Sequence, residues 1–148
     1  MTRLSLTLAT LTLSASAALA AEAPVYTGLF SNTAAGGYDV VAYFNRAQPV
    51  EGSDAIRYSY QGADWLFTSV ENLEAFRNNP EKYAPAYGGY CAWAVSQGNL
   101  VKGDPQHWTI KDGRLYLNYS KSVQEAWLAD TERFIQQADQ QWPQILEN

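Results

Sequence analysis

The chain holds one cysteine, one histidine and one methionine in 148 residues. A lone Cys91 excludes an internal disulfide. Once Met1 is set aside with the leader described below, one thiol and one imidazole remain. A structural zinc or similar soft-metal site needs about four such ligands, so one chain cannot build one alone. Charge is also sparse, 17% of residues, and the net charge is −5 with His neutral. That balance argues against nucleic acid and against anionic membrane as partners. No apolar run reaches the ~20 residues of a membrane span, so no stable insertion is expected. There is no EF-hand, phosphate loop, dinucleotide fingerprint or c-type haem motif. No internal repeat and no low-complexity segment is apparent after the leader.

Three features stand out against these absences. The first residues, MTRLSLTLATLTLSASAALA, carry one positive charge at Arg3 and then an uncharged run rich in Leu, Ala, Ser and Thr. Ala18-Leu19-Ala20 fits the small-residue cleavage pattern of a secretory signal peptide. Residues 1–20 are therefore expected to be a leader cleaved after Ala20, with the mature protein in the periplasm. No cysteine follows for lipid attachment and no Arg-Arg pair marks a twin-arginine signal. The second feature is the length of the remainder, one domain's worth and enough for a core without disulfides. The third is the aromatic content, with five Trp and ten Tyr, more rings than a plain core of this size requires.

Along the chain, residues 21–37 read as an N-terminal arm. YDVVAYF, 38–44, is an apolar run that periodicity assigns to neither strand nor helical turn. Residues 45–54 form a loop. IRYSY and ADWLFT flank Gln61-Gly62 as a hairpin. Thr68 and Glu71 have capping-box spacing for a helix that Asn79-Pro80 closes. CAWAVSQ reads as a short helix stopped by Gly98. HWTI and RLYLNY around Asp112-Gly113 give a second hairpin. Ser122 and Glu125 repeat the capping-box spacing before a long amphipathic C-terminal helix that carries Trp127, Phe134 and Trp142. The fold expected is a small α+β domain over 38–146, two β-hairpins packed on two or three helices.

GYDVVAYF, the segment from YQGADWLFTSVENLEAFRNNPEKY to YGGYCAWAV, and DGRLYLNYS together resemble exported single-domain YHS proteins, over nearly all of 38–146. The resemblance implies a module related to small heavy-metal-handling domains, some of them attached to copper-transporting ATPases. Better known members have cysteines in the opening and just before the helix. Those positions here hold Ala42, Thr68 and Asn72, so the domain shape is expected without the cysteine ligand set.

Cys91, near the start of a short helix behind Gly88-Gly89, is the residue best suited to bind Cu(I) or form a mixed disulfide. As a small buried hydrophobe it would do neither. His107 is its candidate co-ligand, since thiolate and imidazole together suit copper; the alternative is a strand-edge histidine packed on Trp108. Tyr43, Tyr87, Tyr90 and Trp93 are candidate lining of a cleft for an apolar or cyclic ligand; the alternative is core. Asp39 is a semi-buried carboxylate expected to bond loop amides. The leading reading is a non-enzymatic module that binds copper through Cys91 and His107. Its rival is a domain that binds a small molecule, a protein or a second copy in an aromatic cleft without metal. A thiol-dependent enzyme is the weakest reading, and no catalytic residue is assigned.

Overall fold

The computed structural model describes residues 20–148. The expected leader therefore lies outside the described residues, Ala20 excepted. Two antiparallel hairpins dominate. Strand β1, Ser53–Tyr60, pairs with β2, Ala63–Phe67; β3, Asp104–Lys111, pairs with β4, Arg114–Asn118. Each turn needs two residues at positive φ, and the sequence supplies a polar residue followed by glycine. Gln61-Gly62 stand at 51° and 77°, Asp112-Gly113 at 51° and 76°.

Six short helices complete the α+β fold. They are α1 (Ala42–Asn45), α2 (Val70–Asn78), α3 (Pro80–Tyr83), α4 (Ala92–Ser96), α5 (Lys121–Leu128) and α6 (Thr131–Gln141). The ambiguous YDVVAYF run thus resolves as a helical turn. The two capping residues differ from the expected ones. Ser69 Oγ, not Thr68, accepts the Asn72 amide at 3.1 Å, and Ser120 Oγ, not Ser122, accepts the Val123 amide at 3.3 Å. In both cases the capping serine is the second residue beyond the strand, and Thr68 has another partner described below. The C-terminal helical segment is interrupted at Asp130, whose ψ of 62° takes it out of the helix before Thr131 starts α6.

The interior forms two clusters that share strand β4. Leu115 and Leu117 point into the first, with Val40, Trp65, Phe67 and Phe76; Tyr116 points into the second, with Val95, Trp127 and Phe134. This is the two-residue alternation of a strand covered on both faces. Among the described residues no helix is long and apolar enough to cross a membrane.

The two halves of the chain repeat one plan, and this corrects the reading of a chain without repeats. A tight 3-10 knuckle comes first, Ala34–Gly37 in one half and Ala86–Gly89 in the other. Three consecutive residues of each have positive φ: Ala35, Gly36 and Gly37, then Tyr87, Gly88 and Gly89. A short helix, a hairpin with an irregularity at its first paired residues, and a serine-capped helix follow in the same order. Backbone bonds match as well. Asp39 N donates to Val50 O and Cys91 N to Val101 O, both at 2.8 Å; Gly52 N donates to Gly37 O at 2.8 Å and Gly103 N to Gly89 O at 3.1 Å. Few side chains are common to the halves, chiefly the knuckle glycines, Tyr38 and Tyr90, Leu66 and Leu117, and Ser69 and Ser120.

Candidate functional site

The polar centre of the first half is Asp39, which is fully buried. One carboxylate oxygen accepts the Val41 and Ala42 amides at 2.9 and 3.3 Å. The other accepts the Thr68 amide, the Thr68 hydroxyl and Asn72 Nδ2 at 2.9, 2.8 and 2.7 Å. Asn45 Nδ2 then donates to Asn72 Oδ1 at 3.2 Å. Ala42, Thr68 and Asn72 are the positions where the resemblance would put cysteines. The fold does bring them together, around a carboxylate whose lone pairs five donors already occupy. The expectation that Asp39 bonds loop amides holds; Asn72 was named from the sequence only as a position where the resemblance puts a cysteine, and its bond to Asp39 was not foreseen.

Cys91 is also fully buried. Its Sγ accepts the Tyr119 amide at 3.3 Å and lies 3.6 Å from Asn118 Oδ1, which itself accepts the Trp93 amide at 3.3 Å. His107 is not its neighbour. Cys91 bridges to Leu117 along one edge of β4, and β3, which carries His107, pairs along the other. Two strand spacings of about 4.8 Å therefore separate their backbones. The imidazole faces Asp104 instead, with Nε2 3.9 Å from the carboxylate. Among the described residues no group of three or more His, Cys, Asp or Glu is placed to hold a metal ion. The pairing of Cys91 with His107 around copper is thus corrected by the strand between them. The donor set present does not fit a soft-metal site.

The four aromatic candidates do not share one wall. Tyr43 belongs to the first cluster, donates to Pro105 O at 2.8 Å and meets Trp108 edge-on with centroids 5.2 Å apart. Tyr90 is buried in the second and donates to Ala23 O at 2.9 Å. Trp93 is half-buried against that cluster. Of the four, Tyr87 is the one that lines the cleft described next. Burial, and then its bond to Asp139 at 2.8 Å, push the Tyr87 phenol well above its ordinary range. Burial does the same to Tyr43.

That cleft, about 320 Å³, lies where the turn of the first hairpin meets the knuckle of the second half. Tyr60, Trp65, Tyr87 and Trp142 give it aromatic walls, and Gln61 and Arg114 stand at its edge. The Arg114 guanidinium lies 5.7 Å from the centre of the Tyr87 ring and 5.4 Å from that of Tyr116, with the Asp139 carboxylate 3.7 Å away. The volume is at the lower end of small-molecule pockets. Its aromatic members other than Tyr87 were legible only as an excess of Tyr and Trp, because they and Tyr87 come from three separated segments.

Fold and site together define a small α+β protein of hairpin–helix units with a buried polar hub and an aromatic cleft. A family model, the YHS domain, matches residues 44–87 of the chain. The family is linked to heavy-metal handling. No curated protein and no solved structure matches the chain.

Proposed function

We propose that the protein is a non-enzymatic binding module that takes a small cyclic or aromatic organic molecule in the cleft between its halves. The reading includes export to the periplasm with residues 1–20 removed; the expected arm, 21–37, belongs with 38–146 in the binding domain, because Val25, Ala34 and Ala35 pack in the first cluster and Pro24 and Val25 line the cleft. One observation carries it: four aromatic residues from three segments, Trp65 and Tyr87 among them almost fully buried, line one open cleft together with a cation and an amide. Rings offer apolar area and a stacking face, while Arg114 and Gln61 offer donors that orient a polar substituent. Copper handling, which the family likeness favours, would need the Cys91 thiol to face an ion. That thiol faces the Tyr119 amide and Asn118.

Titration of tryptophan fluorescence with indole and with benzoate tests the reading. Saturable quenching that Trp142→Ala weakens about tenfold supports it. A competition titration with Cu(I), run beside Cys91→Ser, tests the rival. Tight copper binding that the variant loses would replace the cleft with a copper site at Cys91.

A further inference from the structure

We propose that the second half of the chain, from Ala86 onward, is a second unit of the YHS type, in which Cys91 and Asn118 together take the place of Asp39. The matched family segment ends at residue 87, so nothing in that match assigns the second half. The equivalence rests on bonds, not on residue identity. In the first half Asp39 ties two amides together: Val41, on the entry to α1, and Thr68, on the exit from β2. In the second half the counterpart amides are Trp93, on the entry to α4, and Tyr119, on the exit from β4. Cys91 Sγ accepts from Tyr119, and Asn118 Oδ1 accepts from Trp93. One residue does both tasks in the first unit; two residues divide them in the second.

The surroundings agree. Gly52 and Gly103 each sit over the counterpart leucine, and a Cβ on either would come within 2.7 Å of the Leu66 or Leu117 Cβ. Phe67 and Phe76, whose centroids are 5.2 Å apart in the first unit, correspond to Asn118 and Trp127. Among the described residues, Asn118 Nδ2 and Trp127 Nε1 are the buried side-chain donors without an acceptor. The polar atoms that the second unit leaves unmatched thus lie where the first unit carries phenylalanine. Asn118 cannot be turned to satisfy its amide, since the Trp93 N–H needs the oxygen where it is.

This explains the lone thiol of the chain. Cys91 is a hub residue that accepts one amide, in a place where a carboxylate would serve. It also accounts for the division of labour between the units. Only the second knuckle carries an aromatic residue at its first positive-φ position, Tyr87 where the first has Ala35, and Tyr87 is the one that walls the cleft.

A residue graft tests the equivalence without reference to any ligand. In a Trp127→Phe background, which gives position 127 the size of Phe76, three further proteins are made: Cys91→Asp, Asn118→Phe, and both. Asp alone puts a carboxylate against Asn118 Oδ1, and Phe alone takes the acceptor from Trp93. Together they restore one acceptor for both amides, although Tyr119 and Val123 do not supply the side-chain donors that Thr68 and Asn72 give Asp39. The thermal midpoint of the double graft is expected above that of either single change, and a midpoint not above both overturns the proposal. Amide hydrogen exchange in the unaltered protein stands independently of whether the variants fold. Trp93 and Tyr119 are expected to exchange as slowly as Val41 and Thr68, within tenfold. Exchange of either at the rate of exposed loop amides overturns it.

Discussion

Replacing Asp39 by alanine removes the acceptor from five donors at once. Two backbone amides, Val41 and Thr68, have no other acceptor, and Val41 is almost fully buried. Asn72 Nδ2 keeps only a longer bond to Thr68 Oγ at 3.3 Å. A buried donor left unmatched costs about 1–3 kcal/mol. Two such donors and a weakened third give roughly 3–6 kcal/mol, set against a total stability of about 5–15 kcal/mol for a domain of this kind. Asp39→Asn keeps one oxygen and the shape of the side chain, so it should lose roughly half as much. Urea unfolding followed by tryptophan fluorescence reads both. With a slope near 2 kcal/mol/M, the alanine variant should lose about 1.5–3 M in its midpoint. A loss below ~0.5 M at unchanged slope would show that the hub is not what ties α1 to the strand exit, and the reasoning would fail.

Cys91→Ser should lower stability by only about 1–2 kcal/mol, because the hydroxyl can still accept the Tyr119 amide and donate to Asn118 Oδ1; a larger loss by urea unfolding would show that these two bonds do not account for the thiol. The unaltered thiol should react with a disulfide probe far faster in urea than in buffer, since it is fully buried, and equal rates would contradict that burial. Gly52→Ala would put a Cβ 2.5 Å from the Leu66 carbonyl carbon, so a loss of about 2–3 kcal/mol is expected in urea unfolding. Tyr43 and Tyr87 are both raised above the phenol value of 10.0 by burial. Their contribution is whole below pH 10 and is lost as the pH climbs above it. Thermal midpoints should accordingly fall above pH 10, and less steeply in Tyr87→Phe; a flat profile would refute the burial of the phenols. Trp142→Ala should weaken indole binding about tenfold, or 1.4 kcal/mol, and an unchanged affinity would remove Trp142 from the cleft.

What the sequence made legible was local. Turn glycines at Gln61-Gly62 and Asp112-Gly113 marked both hairpins, because positive φ has few residue solutions. Asn79-Pro80 marked the end of α2 for the same kind of reason. Asp39 drew notice because a carboxylate in an apolar run needs a partner. Which partners it has depends on Thr68 and Asn72, which only the folded hairpin brings near. The capping residues were misassigned because Thr68-Ser69 and Ser120–Ser122 each offer two hydroxyls, and only the strand exit decides between them. Cys91 and His107 were paired on ligand chemistry, and residue type says nothing of strand β4, which lies between them. The repeat was hidden because its units keep backbone geometry and exchange side chains: Asp39 for Cys91, Phe67 for Asn118, Phe76 for Trp127. The aromatic cleft was visible as composition and invisible as membership, since Tyr60, Tyr87 and Trp142 meet only through the junction of the two halves.

The most direct test of the binding account is an amide chemical-shift map of the protein titrated with indole. Saturable shifts confined to Gln61, Gly88, Arg114 and their neighbours are the result expected for a ligand held in the cleft. No saturable shifts, or shifts centred on Cys91 and Tyr119 away from those residues, would contradict it.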